Sequence, residues 1–192
     1  GLGDGRAANM YAPFSDYVYP FTDLTETGLT GPLVSAWASL YNVVQQSNNV
    51  IIGISGSPLN ETIKNRYIAE ARFMRGTAYW YLASLWGDVI ISTDPSQLVK
   101  NPLVNKNPMK DVYEFSIRDL EFAAKYLPET AGQAGRLTKY SAFGMLSRVY
   151  LSFSGVSDNP NSGTRNQEYL DLAKKAAEKV MSSGPYSLMT NY

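Results

Sequence analysis

The sequence predicts an all-α fold of paired helices in the tetratricopeptide manner, with an irregular opening segment and long loops. Three observations carry that reading. Apolar residues recur every three or four positions through five stretches. Small residues gather on the second helix of each pair, where they let two helices approach closely (Ala69, Ala71, Gly76, Ala78 and Ala83, then Ala142, Gly144 and Ser147). Apart from Val89-Ile90-Ile91, no stretch reads as a strand, and the pieces between helices are dense in Gly, Pro, Asn and Asp.

Residues 1–31 lack a sustained helical period and interleave aromatic rings with Gly, Pro, Asp and Thr, so they read as an ordered, irregular segment. Pro32 suits a first helical turn, and Leu33, Trp37, Leu40, Tyr41, Val44, Ile51 and Ile52 then mark a helix over 32–53. Asn60 is a candidate cap for a second helix over 59–86, whose apolar positions run from Ile63 to Leu85 and stop at Gly87. Residues 88–107 hold Asp94-Pro95 and Asn101-Pro102, and Asn107-Pro108 closes them, which predicts a long connection with at most a short strand. A third helix spans Met109 to Leu127 and ends at Pro128; Thr138 caps a fourth over 139–153; a fifth runs from Asn166 to Gly184. The pair spacing is longer and less regular than the 34 residues of a consensus tetratricopeptide. With no helix after it to cover its apolar stripe, the fifth helix implies that the natural protein continues or that a partner covers it. Residues 1–192 are expected to form one helical domain, made of the irregular segment 1–31, the helix pairs 32–86 and 109–154, and the helix at 165–183.

Composition excludes several chemistries. The chain has no Cys and no His, so thiol catalysis, disulfides, zinc fingers and Ser-His-Asp triads cannot reside in it. Seventeen Lys and Arg balance seventeen Asp and Glu, which gives no cationic field for nucleic acid or an anionic membrane. No dinucleotide fingerprint or P-loop occurs, so no cofactor is implied. Asp158 to Gly163 has Pro160 where a calcium loop needs an oxygen ligand and reads as a polar turn. The carboxylate pairs that glycoside hydrolysis could use are Asp88 with Asp94 and Glu114 with Glu121; the latter, with Asp111, Arg118 and Asp119, reads as a solvated helix face. Glu70 with Arg72 or Arg75 reads as a buried ion pair between neighbouring helices. Trp37, Trp80 and Trp86 fall among apolar helix positions and read as core.

The cluster Tyr17, Tyr19 and Phe21 with Asp16, Thr22 and Asp23 differs, because it lies outside any periodic helix. Flat rings stack on the C–H faces of sugars while carboxylates bond the hydroxyls, so Tyr17, Tyr19 and Phe21 are candidate stacking groups, with Asp16 and Asp23 as hydroxyl partners. Period-two alternation could instead bury all three rings.

Two blocks add a resemblance. Glu70-Ala71-Arg72-Phe73-Met74-Arg75-Gly76, continuing through Tyr79, Tyr81 and Leu82 to Leu85-Trp86-Gly87-Asp88-Val89, resembles the SusD/RagB signature of a helix leading into a Gly-Asp-Val-Pro turn. Gly135-Arg136-Leu137-Thr138-Lys139 with Ala142, Met145-Leu146 and Arg148-Val149-Tyr150-Leu151 resembles the same family's second helical block, in the family's order. Ile90 stands where the family has Pro, and Gly76 and Gly144 where it commonly has Ala. The resemblance runs from about residue 10 to 192, and members are much longer, with Tyr186 to Tyr192 resembling the lead into their second half. It implies the amino-terminal helical part of a non-enzymatic, lipid-anchored protein of the Bacteroidetes outer membrane. Such a protein binds an oligosaccharide or polysaccharide, or another nutrient, and forms a lid on a TonB-dependent, SusC-like transporter. The signal peptide and anchoring Cys lie outside this sequence, and the membrane is met only through that anchor. A helical-repeat scaffold for a protein partner shares the fold, and a glycosidase is the third reading.

Overall fold

The structure is a computed structural model that describes residues 17–157 and 163–187. The described residues are helical, with one isolated antiparallel bridge between Val89 and Asn107 as their β-type pairing. The chain divides into two compact units, 1–42 and 43–192.

In the first unit a short helix, α1 (Tyr19–Thr22), interrupts the opening segment. Pro20 sits in its first turn, where a missing N–H costs nothing. The segment expected to be irregular therefore holds one helical turn, followed by Leu24 in the left-handed region at φ 55°. Helix α2 (Gly31–Ser55) begins in this unit and ends in the second, two residues beyond its expected end. Trp37 and Tyr41, one turn apart, hold their ring centroids 4.8 Å apart.

In the second unit, α3 (Glu61–Trp86) starts where Asn60 accepts a hydrogen bond from the Ile63 N–H at 3.0 Å. It stops at Gly87, whose φ of 71° a side chain would resist. The connection expected to be a loop contains α4 (Pro95–Lys100), capped by Asp94, which accepts the Ser96 N–H at 2.9 Å. Helices α5 (Met109–Tyr126), α6 (Lys139–Phe153) and α7 (Gln167–Ser183) follow. Thr138 and Ser141 cap α6 reciprocally, and Asn166 accepts the Glu168 N–H at the start of α7.

Helix α3 packs on α5, α5 on α6, and α6 on α7. Each contact is antiparallel: Ser84 meets Tyr113 and Arg75 meets Asp119, while Tyr113 stacks on Phe153 and Glu121 meets Tyr150. Within this unit the last turns of α2 join α3 in the same sense, through Asn48 with Arg75 and through Ser55 with Lys64. This is the successive helical stacking of a tetratricopeptide-like array.

Small residues set the spacing. Ala69, Ala123 and Ala142 meet with Leu127 in a buried cluster flanked by Phe73, Phe122 and Leu137. Gly76 is the tightest point: a Cβ there would lie 3.0 Å from the Ser116 carbonyl oxygen and 3.1 Å from Leu120 Cγ. Helix α7 buries Ala173 and Ala176 but leaves Met181 79% exposed, so part of its apolar stripe is open to solvent.

Candidate functional site

Around α1 the opening cluster is split by helical geometry. Two residues separated by two positions in a helix point to nearly opposite sides, about 200° apart. Phe21 is accordingly fully buried and Tyr19 half-buried, while Tyr17, before the helix, is 64% exposed. Tyr17 rests against the backbone at the start of α2: a Cβ on Gly31 would lie 3.0 Å from its ring and 3.1 Å from its hydroxyl. Thr22 spends its hydroxyl on the Tyr19 carbonyl at 2.8 Å, whereas Asp23 is exposed, its N–H donating to that carbonyl at 3.1 Å. Asp16 lies outside the described residues. Of the candidate residues, Tyr17 presents an open ring and Asp23 an open carboxylate; Tyr19 presents part of a ring and Phe21 none.

The family-like block on α3 builds the interior of the second unit. Arg75 donates from Nε and Nη2 to both Asp119 oxygens, at 2.7 and 2.9 Å, and from Nη1 to Asn48 Oδ1 at 2.6 Å. Asn48 passes the network on through a 2.8 Å bond to the Ser92 carbonyl, and the Ser92 N–H donates to the Tyr79 hydroxyl at 2.7 Å. Arg75 and Asp119 are both buried, so a bidentate pair, with Arg75 Nη1 taken up by Asn48, ties three segments together. Asp119 therefore leaves the solvated face expected for it. Glu70 makes a separate, more exposed pair, accepting from Arg136 Nη2 at 2.8 and 2.7 Å.

Two of the carboxylates considered for hydrolysis cap helices. Asp88 accepts the Met109 N–H at 2.8 Å and so caps α5, and Asp94 caps α4, its hydrogen bonds to Ser96 and Gln97 lowering its pKa. Glu121 accepts the Tyr150 hydroxyl at 2.7 Å. Among the described residues, no group of three or more acidic side chains is placed to hold a metal ion.

A groove of about 360 Å³ lies among α5, α6 and α7, and the sequence reading missed it. Its floor is Phe143, Leu146, Leu172 and Ala176, and Lys125, Lys175 and Lys179 stand on its rim. The spacing of the two α7 lysines is visible in the sequence; their convergence with Lys125 depends on how the helices pack.

Residues 18–151 match the SusD-like family, described as starch-binding and associating with the outer membrane. A SusD-like protein of Bacteroides ovatus is 40% identical over the whole of this chain. The chain belongs to the SusD-like family. It spans 34% of the length of that relative. A crystal structure with xylogluco-oligosaccharide superposes on all of this chain with a TM-score of 0.88 at 40% identity, and the chain covers 37% of it. A SusD-like carbohydrate-binding protein from Bacteroides fragilis gives a TM-score of 0.75 at 27% identity over 90% of this chain and 32% of its own. The fold of this SusD-like chain is thus the tetratricopeptide-like helical fold of its relatives. Its two family-like blocks supply the joint between α3 and α5 and the capped start of α6, both architectural.

Proposed function

We propose that this SusD-like chain is the helical part of a non-enzymatic glycan-binding protein. In this reading the whole protein sits at the outer-membrane surface through a lipid anchor and acts as a lid on a TonB-dependent, SusC-like transporter. The observation that carries it is the 40% identity, along the whole chain, to a structure holding xylogluco-oligosaccharide. That makes a β-glucan backbone bearing xylosyl branches the first ligand to try. The capping duties of Asp88 and Asp94 and the tie between Glu121 and Tyr150 favour binding over hydrolysis.

Within the chain, the proposed glycan contact is Tyr17 as a stacking face with Tyr19 beside it and Asp23 as hydroxyl acceptor. Phe21 then supports the segment from below. Asp16, next to Tyr17 in sequence, is the second proposed acceptor.

Affinity electrophoresis of the full-length protein through gels containing xyloglucan tests this reading. Retardation that drops in Tyr17→Ala and Asp23→Ala, at an unchanged melting temperature, is the expected result. A protein that migrates freely through xyloglucan and every other neutral glycan gel overturns the glycan assignment. Equal retardation of wild type and both variants overturns the Tyr17 contact alone. Detergent pull-down from native membranes is expected to recover a large β-barrel transporter.

A further inference from the structure

We propose that the groove among α5, α6 and α7 is a docking site for an acidic polypeptide segment, one apolar side chain entering the floor while flanking carboxylates meet Lys125, Lys175 and Lys179. This goes beyond the glycan reading and does not depend on it.

Three features select that occupant. The space, about 360 Å³, falls within the range of ligand pockets. Its floor is aliphatic and aromatic, and an apolar side chain gains by leaving water there. A neutral sugar, by contrast, would bring hydroxyls to a floor that offers almost no hydrogen-bond partners.

Charge supplies the second argument. Three lysines from two helices line the groove against one carboxylate, Glu121, which already accepts the Tyr150 hydroxyl. Among the described residues no carboxylate lies within ion-pair distance of Lys125, Lys175 or Lys179. The neighbouring hollow adds Lys139 and Glu129, but these two pair with each other and leave the excess positive charge unchanged. Lys175 and Lys179 are one turn apart on α7, a spacing at which like charges repel.

Geometry supplies the third. Antiparallel helices present a channel running along their axes, which suits an extended chain better than a compact anion. Lys125 and the α7 lysines are contributed by different helices, so a segment lying in the channel is approached by cations from both sides.

The test is fluorescence anisotropy with the full-length protein and a labelled peptide of alternating Leu and Glu. Binding is expected to weaken about tenfold or more in the triple variant K125E/K175E/K179E, since each rim charge contributes severalfold. It is expected to fall likewise as salt rises toward about 1 M, where screening acts over about 3 Å. Phe143→Ala is expected to weaken binding at any salt. The triple variant alters exposed side chains only, and its helical circular dichroism checks that it folds. Absence of binding to the full-length protein overturns the proposal, as does binding that the triple variant retains. Equal affinity for polygalacturonate would assign the groove to an anionic sugar and overturn the peptide.

Discussion

Toward α3, helix α5 presents Asp119 to a buried guanidinium; toward the groove it presents Lys125 to open solvent. The same helix thus carries charge in two ways. In the joint with α3 Arg75 and Asp119 form a buried bidentate pair, Asn48 takes Arg75 Nη1 and passes the network to Ser92, and Arg72 approaches the same carboxylate at 3.8 Å. In the groove the cations are unmatched and the apolar floor is uncovered. A matched buried pair holds segments in one register, while unmatched rim charges over an apolar floor are free to meet something that arrives.

The comparison breaks most severely at Asp119. Asp119→Ala leaves Arg75 charged and buried without its partner, and urea denaturation is expected to show a loss of about 3–5 kcal/mol. Charge reversal of the groove lysines is expected to leave the same denaturation curve close to wild type. Next comes Gly76→Val, which drives methyl groups into the Ser116 carbonyl and Leu120; overpacking of this kind costs about 1–3 kcal/mol in the same measurement.

Tyr150 lies between the two regimes. Burial first, and then the hydrogen bond to Glu121, raise its phenol above the ordinary value of 10.0. A raised pKa means that the folded state holds the proton more tightly than the unfolded state. The stabilisation is complete below about pH 10 and is lost as pH climbs from there through the folded-state value. Wild-type stability is expected to fall above pH 10, and Tyr150→Phe, which has no proton to lose there, is expected to show a flatter alkaline limb. Tyr113 and Tyr169 are raised in the same direction and leave a residual slope. The smallest effect belongs to Arg136→Ala: its pair with Glu70 is partly solvated, so the loss is expected to be about 0.2–1 kcal/mol and to shrink with salt.

These contrasts also mark how far the sequence could be read. The bounds of α6 were legible because Thr138 announces its start and the Ser154-Gly155 turn its end. Helix α4 was not: six residues between Pro95 and Pro102 are too few for a helical period to emerge from loop punctuation. Asp119 was misplaced because charges interleaved with apolar residues resemble a solvated face, and its partner lies 44 residues away. Of the two arginines read as partners of Glu70, Arg75 is half of a buried pair, but with Asp119, and Glu70 belongs to Arg136. Residues 17–23 read as part of an irregular segment whose period-two alternation could bury all three rings. One helical turn separates their fates instead, burying Phe21 and leaving Tyr17 open. The groove lysines come from positions far apart in the chain and converge only through helix packing, which no local pattern records.

Isothermal titration calorimetry of the full-length protein with xylogluco-oligosaccharide, followed by chromatography of the recovered sugar, tests the central claim most directly. A glycan-binding SusD-like protein without hydrolytic activity predicts saturable heat and an oligosaccharide recovered intact. Recovery of shortened products would contradict it, as would absence of heat with this sugar and with every other neutral oligosaccharide titrated beside it.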